Sequence, residues 1–363
     1  MRIAYVTVHV APQIMQGGVG KKIRTQITMW REQGHTVALF SLTPVEVPFP
    51  NEHQFIFDAD VNLPRREFNR MSALKRMLAA IREYRPDLIY LRFGLYSYPL
   101  HRLFWIAPVV LEINSNDIVE YATRGRFFYW MNRLTRNLIF APASGIVTPT
   151  YELTSILPPY KKNGRVCVIS NGYDLSNLSP LPPPQHTRPV MTLVGSPGMD
   201  WHGVDKLVDF AEINPDIHIN IVGYSSADFA LPVPGNVTLH GFVHSSRLRE
   251  ILMETDVACG TLALHRKNMN EACPLKVRES LAYGIPTIIA YKDTDLEGVS
   301  IETILRIPNA EDNVMVNAQR IRTFVYNMMG KRVDVNILAP YLDQRKKEEA
   351  RLAFFEQILA EGK

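Results

Sequence analysis

The sequence predicts two doubly wound α/β domains in tandem, facing each other across an interdomain cleft. Three observations predict this. At 363 residues, 46% hydrophobic and 21% charged, the chain is long enough for two ordinary domains with well-filled cores. Short apolar runs alternate with amphipathic stretches, the pattern of strands joined by crossover helices. The alternation occurs on both sides of Pro180-Leu-Pro-Pro-Pro184, the stiffest segment and the natural linker. The expected boundaries are residues 1–180 for the first domain and 181–340 for the second. A helix over about 341–363, with Leu352, Phe355 and Leu359 on one face, is expected to pack back on the first.

Arg2 to Val8 is apolar enough for a first buried strand. The loop Gly17-Gly18-Val-Gly20 follows, then an amphipathic helix from Lys21 to Gln33 ending at Gly34, then the strand His35–Phe40. Glycines at such a turn either let backbone N–H groups approach a ligand closely or serve the turn alone. The spacing is not GxGxxG and no acidic residue ends the second strand, so dinucleotide binding is poorly supported. Residues 72–85 form a basic helix that stops before Pro86, and 87–91 the next strand. Val109–Ile113 leads into the polar loop Asn114-Ser-Asn-Asp117. Loops at the carboxyl ends of strands line the ligand crevice of an open sheet, which makes Glu112, Asn114 and Asn116 site candidates. Strands at 145–148 and 166–169 close the first half. After the prolines come a strand at 190–194, a helix near 204–211, strands at 218–222 and 237–240, and a helix at 246–254.

Charge divides the chain unevenly. Residues 1–180 carry 21 Lys/Arg against 13 Asp/Glu (+8), and residues 181–363 carry 19 against 23 (−4). A basic first half points to an anionic partner such as a membrane surface or a phosphorylated acceptor. No aromatic–basic module with nucleic-acid spacing is present, so nucleic acid is not expected. The cationic, aromatic stretch 124–140, on one helix, is the best membrane-contact candidate, and the basic helix 72–85 is a second. A core helix with basic outer positions would read much the same. The longest apolar run, Leu103–Leu111, has nine residues and includes a proline, too short for a span. No secretory h-region opens the chain, and three cysteines make no spaced framework. These features place the protein in the cytoplasm, with peripheral contact at the inner face of the plasma membrane.

Residues 271–286 read Glu271-Ala-Cys-Pro274-Leu275-Lys276-Val-Arg-Glu279-Ser-Leu-Ala-Tyr-Gly284-Ile-Pro286. Pro274 fits a first helical turn and Gly284 a helix end, ahead of the buried strand 286–290. Free N–H groups near Leu275 and Lys276, with the Lys276 charge, form an anion site. A phosphate resting there would have a carboxylate on each side, Glu271 and Glu279, each facing a hydroxyl-rich group. A solvated surface helix is the plain alternative.

Taken in order, several motifs resemble those of the GT-B glycosyltransferases, and most of all the retaining, nucleotide-sugar-dependent family 4. They are the early glycine loop, Val168-Ile-Ser-Asn-Gly-Tyr-Asp174, Gly195…Trp201-His-Gly-Val-Asp205, Ile221-Val-Gly223, Val237-Thr-Leu-His-Gly-Phe-Val243, Asp256-Val257 and the Glu-x7-Glu stretch. The resemblance implies a GT-B fold whose second domain holds the nucleotide sugar. Glu279 would then bind the ribose hydroxyls and Glu271 those of the transferred sugar. Pro274, Leu275 and Lys276 would carry the diphosphate, and Gly223, Tyr224 and Val243 would border the base. Gly17 and Gly18 would close over the donor from the first domain. Where relatives place an Arg and a Lys on the diphosphate, this chain offers Ser196 and His202-Gly203, so Lys276 or Arg266 would supply the charge. Asn114 stands where relatives have a histidine near the donor sugar. Glu271, Lys276 and Asn114 are thus the expected catalytic residues, with Glu271 positioning the sugar rather than attacking it.

The implied function is retaining glycosyl transfer from a UDP, GDP or dTDP sugar to a saccharide or lipid-linked acceptor, in bacterial surface polysaccharide or lipopolysaccharide synthesis. No cofactor or metal is expected, since Asp58-Ala-Asp60 and Asp293-Thr-Asp295 read as turns. A nucleotide-sugar 2-epimerase of the same architecture and a non-catalytic nucleotide-sugar-binding subunit are the alternatives.

Overall fold

Continuous apolar runs suit strands covered on both faces, and that is how the sheet of the first unit is built. In the computed structural model, which describes residues 1–8, 17–46, 52–162, 164–176 and 178–361, its strands are all parallel. They are β1 (Arg2–Val8), β2 (Thr36–Thr43), β3 (Glu52–Ile56), β4 (Leu88–Arg92), β5 (Val109–Glu112), β6 (Gly145–Thr148) and β7 (Val166–Val168), in spatial order β3-β2-β1-β4-β5-β6-β7. The two-residue period of β1 feeds both faces. Ala4, Val6 and Val8 enter one core with Leu74, Met77 and Ile81 of the helix Leu63–Tyr84. Ile3 and Tyr5 enter the other with Ile23, Ile27 and Trp30 of the helix Gly18–Glu32 and Leu352, Phe355 and Ile358 of the helix Gln344–Glu361.

The helix expected over 72–85 begins nine residues earlier. Asn62 Oδ1 accepts from Arg65 N and Pro64 occupies the first turn, a start signal present in the sequence but unread. The single helix expected over 124–140 is broken. Gly125, at φ +121°, precedes the helix Arg126–Thr135, and Arg136 separates it from the short helix Asn137–Phe140.

The second unit has a six-stranded parallel sheet of β8 (Val190–Val194), β9 (His218–Val222), β10 (Val237–Leu239), β11 (Val257–Cys259), β13 (Thr287–Ile289) and β15 (Ile304–Arg306), ordered β10-β9-β8-β11-β13-β15. A two-stranded parallel pair, β12 (Glu271–Ala272) with β14 (Lys292–Asp293), stands apart from it. The first unit comprises Met1–Ser170 together with the chain from Arg345 onward, and the second Asn171–Gln344. Pro180–Pro184 therefore belongs to the second unit rather than linking the two. Leu181 is buried with Leu252, Ala258 and Ile285, and its N–H donates to Tyr283 O at 3.1 Å. Among the described residues no helix is long and apolar enough to cross a membrane.

Strand order reverses between β1 and β4 in the first sheet and between β8 and β11 in the second. The carboxyl ends of strands at such a reversal are where open α/β sheets place ligands.

Candidate functional site

The reversal point of the second sheet is crowded by loops that glycines let pack closely. Gly223 has φ +95°, and a Cβ there would lie 2.2 Å from Gly195 O. A Cβ on Gly195 would lie 2.6 Å from Tyr224 Cε2 and 2.8 Å from His202 Nδ1, and one on Gly203 (φ +70°) 2.9 Å from Leu262 Cβ. The loops after β9 and β10 are tied reciprocally, Gly223 N to Gly241 O at 2.7 Å and Gly241 N to Tyr224 O at 2.8 Å. That tie brings Gly223 and Tyr224 next to the loop that holds half-buried Val243.

Ser196, His202 and Tyr224 form one hydrogen-bonded knot. Ser196 N donates to His202 Nδ1 at 3.1 Å, and Tyr224 OH donates to Ser196 O at 2.7 Å. Because Nδ1 accepts an amide hydrogen, the ring's own hydrogen sits on Nε2. Burial, then the nearby charges of Lys276 and Lys267, pull the His202 ring down to about 2, so it stays neutral. His202 thus offers a neutral N–H donor where a cation was expected. Arg266 does not supply the missing charge, because its guanidinium is occupied by Asp205 and Glu311. Lys267 was not anticipated: its Nζ lies 4.3 Å from the Trp201 ring centroid, beside His202.

Opposite this knot stands the helix Leu275–Ala282. Pro274 is its cap residue, in extended conformation (φ −66°, ψ 136°), one position before the first turn where the sequence placed it. The first internal bonds run from Val277 N and Arg278 N to Pro274 O, which leaves the Leu275 and Lys276 amides at the open end. Lys276 Nζ reaches across to the carboxyl end of β8 and donates to Val194 O at 2.8 Å. Burial pushes this ammonium down to about 7, with only the Cys259 thiol opposing weakly. Lys276 therefore joins the helix start to the reversal point of the sheet.

The two glutamates are held differently. Glu279 accepts the Tyr173 hydroxyl at 2.8 Å across 106 positions, and burial followed by the Glu279 charge raises that phenol well above its ordinary value. Glu271 lies in β12, half-buried and paired in register with Lys292. Between them Arg278, fully buried, donates to Asp293 at 2.8 Å, to Asp295 at 2.7 Å and to Asn171 O at 2.9 Å. The Asp-x-Asp pair therefore serves to anchor the helix. Asn171 Nδ2 donates in turn to Cys273 O at 2.9 Å. Among the described residues no cluster of His, Cys, Asp and Glu is arranged to hold a metal ion. A groove of about 1330 Å³ adjoins this surface through Tyr224, Met199 and Asp200, but neither glutamate lines it.

In the first unit Gly17 is the cap residue of the helix that Gly18 begins. Lys22, one turn on, is buried. Its Nζ donates to Glu112 Oε1 at 2.8 Å and to Asn114 Oδ1 at 3.2 Å, and Arg92 takes the other Glu112 oxygen at 3.0 Å. Burial alone would raise the Glu112 carboxyl, but Lys22 and Arg92 hold it far below the usual carboxylate range. Glu112 is thus spent on internal pairing, and Asn116 caps the helix Asp117–Thr123 through Val119 N. Asn114 thus belongs to the Lys22–Glu112 cluster, with its oxygen accepting from Lys22. Lys22 and Arg92 carried no signal in the sequence, because their partner lies 90 and 20 positions away.

Comparison with known proteins adds the following. Residues 16–177 match the family model described as Glycosyltransferase Family 4. No curated protein matches significantly. Among solved structures, sucrose-phosphate synthase from Thermosynechococcus elongatus superposes with TM-score 0.70 at 17% identity, covering 99% of each chain. The lipopolysaccharide outer core galactosyltransferase WaaB, in apo form, gives 0.64 at 12%, covering 98% of this chain and 100% of its own. Anabaena Alr3699/HepE, in complex with UDP, gives 0.63 at 14%, again covering 98% and 100%. The seven- and six-stranded parallel units thus make a GT-B fold along the whole chain, and residues 16–177 are similar in sequence to glycosyltransferase family 4.

Proposed function

We propose that this protein transfers a sugar, with retention of configuration, from a nucleoside diphosphate to a saccharide or lipid-linked acceptor. The observation that carries the reading is the open helix end at Leu275–Lys276, joined by Lys276 to the reversal point of the second sheet and flanked by Glu271 and Glu279. Helix N–H groups and a desolvated lysine suit a diphosphate, with His202 Nε2–H as a third, neutral donor. Glu279 then takes the ribose hydroxyls and Glu271 the hydroxyls of the transferred sugar. Gly223, Tyr224 and Val243 border the base.

In the proposed reaction the donor's own phosphate oxygen accepts the acceptor hydroxyl's proton as the glycosidic bond breaks, so the protein supplies no nucleophile. Its work is to stabilise the departing diphosphate. No resident metal belongs to this reading, because Asp293 and Asp295 are both turned onto Arg278. Bacterial surface polysaccharide or lipopolysaccharide synthesis at the cytoplasmic membrane face is the setting we favour, supported by the fold shared with a lipopolysaccharide galactosyltransferase.

A mass-spectrometric screen of UDP, GDP and dTDP sugars for hydrolysis and transfer tests the proposal. With the active donor, Glu279→Ala should weaken nucleotide binding about ten-fold. Glu271→Ala should lower turnover by roughly 10² to 10³ with nucleotide affinity kept, the scale of one lost transition-state contact. Negligible effects from both would sink the site assignment. Free epimerised sugar released without an acceptor would establish the epimerase reading instead.

A further inference from the structure

The helix Arg126–Thr135 is mounted with a polar position inward and an apolar stripe outward. Its one buried residue is polar, Asn132, whose Nδ2 donates to Asp117 Oδ2 at 2.7 Å; Arg136, just after it, meets both Asp117 oxygens at 2.8 and 3.0 Å, and the continuation Asn137–Phe140 is held by Ile139 and Phe140 in the core. The opposite face is apolar and open to solvent. Phe127, Trp130, Leu134 and Leu138 follow one another at three- and four-residue steps, so they form a single stripe. They are 72%, 54%, 77% and 46% exposed. Trp105, 70% exposed, ends a 3₁₀ turn that packs on Asn137–Phe140 and widens the patch. An apolar surface of this kind, on a helix anchored by its polar side, requires an occupant.

Charge selects the occupant. Arg124, exposed on this segment, already pairs with Glu120 at 2.7 Å, but Arg126 and Arg133 here and Arg102 on the neighbouring turn are exposed, and residues 124–140 contain no carboxylate. A neutral protein face would leave these guanidinium groups unanswered, whereas lipid phosphates would meet them at the depth where Trp and Phe partition. The helix Leu63–Tyr84 shows the contrast. Its stretch 72–85 buries Leu74, Met77, Leu78 and Ile81 and exposes charged and small residues, so it can add charge but cannot insert.

We propose that Arg126–Phe140 lies in the plane of an anionic bilayer, with Phe127, Trp130, Leu134 and Leu138 inserted and the arginines among the phosphates. This deepens the reading of a lipid-linked acceptor by locating the membrane contact. It also has its own test, since vesicle binding needs no nucleotide.

The full-length protein should float with vesicles of equal phosphatidylcholine and phosphatidylglycerol, and far less with phosphatidylcholine alone. The triple variant Phe127→Ser, Trp130→Ser, Leu134→Ser should bind the anionic vesicles at least about ten-fold more weakly. Each of Arg126→Gln and Arg133→Gln should cost about five-fold. Far-ultraviolet melting and nucleotide affinity of the same preparations should not change. Leu134→Glu, at the most exposed position of the stripe, repeats the test should the triple variant fold poorly. Undiminished flotation of the stripe variants would overturn the proposal, as would failure of the native protein to float. A native dimer that the stripe substitutions dissociate would assign the patch to a protein interface and equally overturn it. Flotation lost while nucleotide binding persists concerns this surface alone, and the reverse outcome concerns the donor site alone.

Discussion

Lys276 carries a charge that burial makes costly, and its ammonium donates to a carbonyl, Val194 O, rather than to a carboxylate. In the unfolded chain it titrates near 10.5, in the folded protein at about 7. Between those values the unfolded state holds a proton that the native state lacks, so this group's penalty on stability is full below about 7 and fades as pH rises towards 10.5. A bound diphosphate reverses the balance by favouring the ammonium. Nucleotide-sugar binding should therefore take up close to one proton at about pH 8 and close to none at about pH 6. Calorimetry in buffers of different ionisation enthalpy reads this directly. Lys276→Met should abolish the uptake and weaken binding about ten-fold. Equal proton uptake in the variant would remove Lys276 from the anion site. His202, already neutral throughout this range, should leave the pH profile unmoved when replaced by Gln.

At the scale of elements, the helix Leu275–Ala282 owes its position to contacts that lie far off in sequence. Arg278 is the buried pin, and removing one member of a buried ion pair typically costs about 3–5 kcal/mol. Arg278→Met should lower the stability of the second unit by that order in urea unfolding. Adding Asp293→Asn should recover part of the loss, because one of the stranded carboxylates is then neutralised. The glycine loops are equally constrained. Gly223→Ala forces a Cβ to 2.2 Å from Gly195 O at φ +95°, so the turn must move, and nucleotide affinity should fall at least about ten-fold. Unchanged nucleotide binding in this variant would show that the loops after β8 and β9 do not form the base side of the site.

These elements also show how far the sequence could be read. Glu271, Glu279 and the helix between them are legible because caps and an open helix end are local signals. Tyr173 on Glu279 and Arg278 on Asp295 are not, since only the folded sheet brings them together. The stretch 124–140 is ambiguous for a further reason. An amphipathic pattern identifies an apolar face but not which way it points, and here Asn132 and Arg136 are buried while Phe127, Trp130, Leu134 and Leu138 face solvent.

For the whole molecule, alternation of strands and helices was enough to read two parallel sheets, because crossover connections leave little other choice. The division of the chain was harder to read, because prolines suggest stiffness and stiffness suggests a linker. In fact Leu181 packs into the second unit and the last helix returns to the first. That return is not incidental. Phe355 is fully buried with Trp30 and Tyr90, Glu348 accepts Trp30 Nε1–H at 2.8 Å, and Arg351 donates to Tyr90 OH at 3.0 Å. Without these residues a tryptophan donor and a tyrosine hydroxyl lose their partners, and one face of the first sheet is uncovered. The second unit is one continuous stretch with its own core. A fragment of residues 171–344 should therefore unfold cooperatively and bind nucleotide within a few-fold of the intact protein. Residues 1–170 should fail to reach a cooperative fold alone, and should regain one when 345–361 are joined to them through a flexible linker. Tryptophan fluorescence follows the second result, because Trp30 packs on Phe355 and donates to Glu348 of that helix. A cooperative, buried-tryptophan fold of 1–170 alone would show that the last helix is an accessory of the first unit rather than part of its core.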